Sequence, residues 1–404
     1  MIGSMPRTSR RVRSGLGALI AAGFAAASSA AADELAPLPS HPEGVPWPTE
    51  AWAEAPLPGD IDRTVFDGAV ADLFETTGRG GQRDTRALLV VHGGRLVYER
   101  YADGFGRETR FQSWSMAKSI TNAFVGMLVG DGRLELDAPA PVEAWHGDGD
   151  PRSAITLRHL MQMRSGLDNG DGFGAEDMTM SFVSRLLFGE GSSAPAAYAT
   201  DVGLAHPVGE HWAYSTGTSV LVAAIAGRAV GGGRHGTLDF LRTRLFDRLG
   251  MKSAQPEFAA SGEFIGGAFM HASARDWARF GYLYLRDGVW EGERVLPEGW
   301  VDFSRTRGPA ANNGIHGAHF WLNLAPGPDQ WTPLPGAPET TFIAEGAMFQ
   351  MIAIVPTMDL VAVRLGESQG VDHMELRAEL ARLLTAFPET MRSTHASAAG
   401  EDPR

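Results

Sequence analysis

Cysteine is absent from all 404 residues, which excludes a disulfide scaffold, a thiol nucleophile, a Cys-ligated metal and a lipid-anchoring Cys behind a leader. Lysine is nearly absent too: Lys118 and Lys252 stand alone against 33 Arg. Positive charge is the scarcer sign, with 35 Lys and Arg against 48 Asp and Glu and a formal net charge of −13. A basic nucleic-acid-binding surface is therefore not expected. No apolar run reaches the roughly 20 residues of a membrane-spanning helix. What is present, 44% hydrophobic and 21% charged residues, suffices for a sizeable core in one large or two small domains.

Residues 1–32 differ from everything after them. Arg7, Arg10, Arg11 and Arg13 precede an Ala/Gly/Leu/Ile run from Gly15 to Ala27, which ends in Ala30-Ala31-Ala32. This is the pattern of a secretory signal peptide, so a periplasmic or secreted protein is expected, with no stable membrane anchor after cleavage. The pair Arg10-Arg11 hints at twin-arginine export, although Arg13 stands where that signal prefers an apolar residue. Removing four Arg and no acid takes the charge from −13 to −17. Nucleic acid and anionic lipid surfaces are then poor partners.

Residues 33–59 are rich in Pro, Ala and Glu and read as an extended lead-in. Leu88-Leu89-Val90-Val91 and Leu96-Val97-Tyr98 flank Gly93-Gly94, a pair able to supply the positive φ of a two-residue hairpin. Ile120, Phe124 and Leu128 recur at helical spacing between Ser115 and Val129, ahead of Gly130-Asp131-Gly132, and read as a buried helix. Further helices are predicted at Thr156–Met163 and Ser219–Val230, the latter broken by Gly231-Gly232-Gly233. Met351–Val355 and Leu360–Val363 read as strands. A last helix runs from near Asp372, with Glu375 as a possible capping partner, to about Phe387, and 388–404 form a flexible tail. Strands at both ends and helices between them predict an α+β fold: a mostly antiparallel sheet, closed by N- and C-terminal segments, around an inserted helical subdomain with a cleft as default site.

The sharpest chemical signal is Ser115-Met116-Ala117-Lys118. Positions i and i+3 share a helix face, so the Lys118 amine can reach the Ser115 hydroxyl while the helix N-terminus favours negative charge on that oxygen. With 24 Ser and two Lys, chance supplies about 0.12 such pairs. In a chain that otherwise uses Arg, position 118 carries the one basic side chain able to lose its proton on desolvation.

The segment Phe111-Gln112-Ser113-Trp114-Ser115-Met116-Ala117-Lys118-Ser119 resembles the nucleophile segment of the serine β-lactamase and penicillin-binding protein superfamily. More narrowly it is similar to the class C β-lactamase-like branch that includes esterases and 6-aminohexanoate-dimer hydrolase. Supporting phrases are Ile155-Thr156-Leu157-Arg158-His159-Leu160 with Ser165-Gly166-Leu167, Leu249-Gly250-Met251, Ala274-Arg275-Asp276-Trp277-Ala278-Arg279-Phe280-Gly281 and Asp359-Leu360-Val361. The resemblance implies a β-lactamase/transpeptidase-like hydrolase domain at 60–387, with a sheet part at about 60–110 and 255–387 and a helical part at about 111–254. It implies Tyr214 in Tyr214-Ser215-Thr216 as proton shuttle, effective if Lys118 holds it near the phenolate form, with Thr216 where Asn is commonest. By itself Tyr214 would read as a packed Tyr bonded to backbone. The third motif departs from the pattern: in Gly346-Ala347-Met348-Phe349-Gln350, Ala347 takes the place of the basic residue and Phe349 that of the Gly. The backbone N–H groups of Ser115 and Gln350 are expected as an oxyanion hole, and Thr216, Trp114, Ala347 and Phe349 as substrate contacts. Lys252-Ser253-Ala254 is a weaker stand-in, because Pro256 argues against a following strand.

Other signals are bland. Gly366-Glu367-Ser368-Gln369-Gly370 spells a nucleophile elbow, but only 36 residues follow Ser368, too few for the acid and His that fold requires. Asp168-Asn169-Gly170-Asp171-Gly172 resembles part of a calcium loop, yet Thr179 stands at the twelfth position, and a polar surface turn is expected instead. His159 reads as a core or supporting residue, and Trp212, Phe320 and Trp321 read as core or pocket wall. The sequence thus predicts a serine amidase or esterase acting on a small-molecule or short-peptide substrate, without metal or cofactor. A β-lactamase or D-Ala-D-Ala peptidase is the alternative within the class, and a catalytically weak binding or sensor module the alternative outside it.

Overall fold

After α1 (Arg63–Phe74), capped by Asp62 accepting from the Val65 amide at 3.0 Å, Gly93 (φ 54°) and Gly94 (φ 74°) turn β1 (Thr85–His92) into β2 (Arg95–Tyr101). Both glycines take the left-handed backbone that the tight hairpin demands. This computed structural model describes residues 35–75, 77–78, 81–172, 181–324, 332–369 and 373–390. The predicted signal peptide, Thr179, Gly370, Asp372 and all but the first residues of the predicted tail lie outside them.

The chain continues through β3 (Arg110–Gln112), a 3-10 turn at Trp114–Met116, and α2 (Ala117–Gly130). The helical middle contains α3 (Leu157–Met161), α4 (Phe182–Phe188) and α5 (Thr216–Val230). Then come β4 (Gln255–Pro256), β5 (Met270–Ser273), α6 (Ala274–Leu285), β6 (Trp321–Leu322), β7 (Phe342–Gly346), β8 (Gln350–Val355), β9 (Leu360–Gly366) and α7 (His373–Thr385). The main sheet is antiparallel throughout, in the order β6-β7-β8-β9-β1-β2. As expected, N- and C-terminal strands meet at its centre.

Both faces of this sheet are covered, so its strands read as unbroken apolar runs while their side chains alternate in destination. Leu88, Val90, Met351, Ala353 and Ala362 join Phe66 of α1 and Leu380 of α7 in one core, whereas Leu89, Val91, Ile352, Val361 and Val363 join α6 and the helical middle in another. Gly281 lets α6 touch the sheet: a methyl there would lie 2.7 Å from Ile352 Cγ2 and 2.8 Å from Val361 Cγ1.

The buried helix read from the sequence is α2, enclosed on every side from Ala117 to Leu128. Its polar side chains are accordingly bonded: Ser119 to the His319 carbonyl at 3.0 Å, Thr121 to the Gly266 carbonyl at 2.8 Å, and Asn122 to the Ala318 carbonyl at 2.8 Å. Two findings depart from the sequence reading. First, a short strand does follow Lys252, because Pro256 sits at the edge of the β3-β5-β4 sheet, where its missing N–H removes no ladder bond. Second, residues 35–59 form a packed strap: Trp52 is buried, and the Pro48 carbonyl accepts from Arg279 Nε at 2.7 Å. Among the described residues no helix is long and apolar enough to cross a membrane.

Candidate active site

The turn that carries the candidate nucleophile Ser115 is tied down before it begins. The Ser113 amide donates to the Met270 carbonyl at 2.8 Å, and the Met270 amide to Ser113 Oγ at 3.1 Å, joining the turn to β5. Trp114 then takes a left-handed backbone (φ 45°), an unfavourable state for a bulky residue and one that clusters at functional sites. Ser115 follows on the 3-10 turn, just ahead of α2.

The i, i+3 pairing of the sequence reading is present. Lys118 Nζ donates to Ser115 Oγ at 2.9 Å, to Thr216 Oγ1 at 2.9 Å and to the Gly267 carbonyl at 2.6 Å. Its side chain is buried, which lowers its pKa to about 8 against the opposing pull of the Asp171 carboxylate. A neutral amine is thereby within reach near neutral pH.

Tyr214 precedes α5, whose N-cap Ser215 accepts from the Thr218 amide at 2.9 Å. The Tyr214 ring stacks on Trp321 with centroids 5.1 Å apart, and Lys118 Nζ lies 4.8 Å from its centroid. Its hydroxyl is within hydrogen-bonding reach of Ser115. Burial first, and the Asp171 charge second, push the phenol upward, outweighing the Ser115 bond. The expected phenolate is therefore corrected: Tyr214 is held as a neutral phenol, because the buried site disfavours an added negative charge beside Asp171.

The third-motif alignment is corrected as well. A methyl on Gly346 would lie 2.1 Å from the Ser113 carbonyl oxygen and 3.1 Å from the Ser115 nitrogen. The glycine pressed against the nucleophile turn is thus Gly346, three residues before Phe349, and the position two before it is the buried Ala344. Gln350 instead pairs with Gly346 inside the sheet, receives the Gly366 amide on Oε1 at 3.1 Å and does not line the cavity. Its backbone is not the candidate oxyanion donor; the amide next to Gly346 belongs to Ala347. A Gly346→Ala substitution is expected to lower kcat/KM at least about a hundredfold, the scale of losing one oxyanion donor. Steady-state kinetics beside a thermal melt check this, and a loss under tenfold would show that turn and strand separate freely.

Met348 (φ 60°) and Phe349 (φ 72°) are both left-handed. The buried Arg364 holds their carbonyls at 3.1 and 2.9 Å, and also donates to the Asp84 carbonyl at 3.0 Å and to Ser368 Oγ at 2.6 Å. Ser368, the elbow candidate, is buried in this network and lies away from the cavity wall. Lys252 is exposed and paired with Glu50 at 2.9 Å. His159 closes a capping box on α3 with Thr156.

Ser115, Thr216, Trp114, Ala347 and Phe349 all line one cavity of about 850 Å³, together with Tyr214, Trp212 and Trp321, while Phe320 is core. The mouth is apolar: Phe188 of α4, 67% exposed, faces Phe269, which in turn meets Trp114. Arg377 of α7 reaches the wall but is ion-paired with Glu345 and donates to the Pro333 carbonyl at 3.0 Å.

Asp171 was missed. The Asp168–Gly172 segment is no surface turn, since Asn169 and Asp171 are each 2% exposed and packed under α5. Asn169 Nδ2 donates to Thr218 Oγ1 at 3.1 Å, and the Asp171 carboxylate accepts from the Thr216 amide at 2.7 Å and its hydroxyl at 2.6 Å. Thr216 is consequently committed to Lys118 and Asp171 and is a poor substrate contact. Among the described residues no group of three or more His, Asp or Glu could hold a metal ion.

A family model described as Beta-lactamase matches residues 70–386. The 6-aminohexanoate-dimer hydrolase of Paenarthrobacter ureafaciens is 24% identical over 279 residues, 59% of this chain and 69% of that protein. A solved Bacillus anthracis structure, provisionally named a 6-aminohexanoate-dimer hydrolase, aligns with a TM-score of 0.65 and 20% identity, covering 88% of this chain and 92% of that one. A penicillin-binding protein homologue from Caulobacter crescentus aligns with a TM-score of 0.57 and 16% identity, covering 82% and 98%. At these identities the solved structures establish a shared fold, the β-lactamase/transpeptidase-like one.

Proposed function

Because the chain belongs to the beta-lactamase family and is a serine hydrolase related to 6-aminohexanoate-dimer hydrolase, we propose that it is an exported amidase or esterase working through Ser115, Lys118 and Tyr214. The observation that carries the reading is the 2.9 Å bond between Lys118 Nζ and Ser115 Oγ at the floor of an apolar cavity. Neutral Lys118 takes the Ser115 proton as Oγ attacks the carbonyl. The developing oxyanion is met by the amides of Ser115 and Ala347 beside Gly346, where main-chain donors serve whatever the side chains. Tyr214, a neutral phenol, passes a proton to the leaving group and recovers one from Lys118. Water then attacks the acyl-enzyme by the reverse relay.

The cavity favours uncharged acyl groups. Among the described residues lining it, the one guanidinium, Arg377, is paired with Glu345, and Ala344 stands two residues before the glycine on the wall strand. A substrate carboxylate such as that of a β-lactam finds no unpaired cation there. Turnover distinguishes this enzyme from a sensor module, which would stay acylated.

One experiment tests the set. After a fluorophosphonate probe, intact mass and peptide mapping should show a single adduct on Ser115 and an amino terminus at or near Asp33 in protein taken from outside the cytoplasm. p-Nitrophenyl butyrate should turn over at least about tenfold better in kcat/KM than the hemisuccinate ester, the scale of leaving one charge unpaired. An unlabelled Ser115, or equal use of both esters, would overturn the corresponding part.

A further inference from the structure

We propose that Asp171, acting through the Thr216 hydroxyl, is the positioning residue that aims the Lys118 lone pair at Ser115. The inference rests on Lys118 being the base for Ser115. It starts from donor counting. A carboxylate only accepts, so the single Thr216 hydroxyl hydrogen goes to Asp171 Oδ2 at 2.6 Å, and Thr216 Oγ1 offers Lys118 only a lone pair, at 2.9 Å. The Gly267 carbonyl, 2.6 Å from Nζ, likewise only accepts. A neutral Lys118 has two N–H groups and one lone pair. With two obligate acceptors taking both hydrogens, the lone pair is left facing the third neighbour, Ser115 Oγ at 2.9 Å.

Without the Asp171 carboxylate the order fails. An Asn at 171 can turn its amide N–H toward Thr216 Oγ1, which frees the hydroxyl to donate to Lys118 and occupy the lone pair. The amide of Thr216, bonded to Asp171 Oδ1 at 2.7 Å, fixes the carboxylate in place, so both arms of the Asp171 side chain converge on one residue. Asp171 lies in a segment whose own backbone joins Tyr214, through its amide to the Tyr214 carbonyl at 2.9 Å.

The titratable and charged groups around Lys118 are few. Burial raises the pKa of the Asp171 carboxyl, against the opposing pull of Lys118 and the two Thr216 bonds, and its charge favours the charged form of Lys118; Tyr214 presents a ring face; His316 and His319 are both kept neutral by burial, His316 with a pKa lowered to about 3. Glu345 acts on Tyr214, one residue further out. Removing the Asp171 charge therefore lowers the pKa of Lys118, and the acid limb of the reaction moves to lower pH.

The test follows fluorophosphonate labelling of Ser115 against pH, with p-nitrophenyl butyrate kinetics, in wild type, Asp171→Asn, Thr216→Val, Thr216→Ser and the Asn/Val double variant. Asp171→Asn is expected to slow labelling and kcat about 10- to 100-fold, leave KM within about twofold and shift the acid limb down by about one pH unit. Thr216→Val should lose a similar factor, Thr216→Ser should stay within about threefold of wild type, and the double variant should be no worse than the poorer single one, because both cut the same chain. An unmoved limb in Asp171→Asn, multiplying losses in the double variant, or equal losses in Thr216→Ser and Thr216→Val would overturn the proposal. Should Asp171→Asn fail to fold, the Thr216 pair decides alone. A wild type that is not labelled at Ser115 sinks the hydrolase mechanism; labelling that is alike in wild type and variants sinks only the role of Asp171.

Discussion

Ser115→Ala is expected to lower kcat/KM for p-nitrophenyl butyrate by at least about 10,000-fold and to abolish fluorophosphonate labelling, with the melting temperature nearly unchanged. The size follows from what is removed: covalent catalysis disappears outright, and only cavity binding and the main-chain donors remain. The small effect on stability follows from geometry. Ser115 is only half-buried, and among its contacts is the Lys118 bond at 2.9 Å, so truncation costs about 0.5–1.5 kcal/mol. Hydrolysis within tenfold of wild type would place the nucleophile elsewhere.

Lys118→Arg is expected to cost about 1,000-fold, the middle of the range for losing a positioned base, and to change the shape of the pH profile. The guanidinium keeps its proton throughout the accessible range. On the proposed mechanism the reactive form in wild type is the neutral amine. With burial holding the pKa at about 8, roughly one site in ten is competent at pH 7, and kcat/KM should rise as pH passes through about 8. The variant should lack that rise. Retained activity with the same profile would remove Lys118 as the base; a flat profile in wild type would do the same.

Tyr214 at the head of α5 was singled out only by the family resemblance, whereas the pairing of Ser115 with Lys118 was legible because its signal is local, a spacing of three across one helical turn. The hairpin at Gly93-Gly94 and the strands 351–355 and 360–363 were legible for the same reason, being written in turn chemistry and apolar runs. Asp171 was not, since Asp168–Gly172 has the composition of a surface turn and only the packing of α5 above it reveals a buried carboxylate. The third motif was set three residues out of frame, because Gly346 and Phe349 both lie near the β7–β8 turn and only the closeness of Gly346 to the Ser115 amide decides between them. Glu345 and Arg377, 32 residues apart in the chain, meet only once α7 packs on the sheet.

The pairing of β9 with β1 sets Leu360 against His92 and Val361 against Val91, partners almost 270 residues apart along the chain. Loop closure over that span must come before the sheet's central ladder can repay it. The two sheet cores therefore cannot close until synthesis has passed Gly366. Until then β1 lies in the earlier nine-tenths of the polypeptide without its β9 partner, its apolar face open to the mispairing that long-range sheets invite.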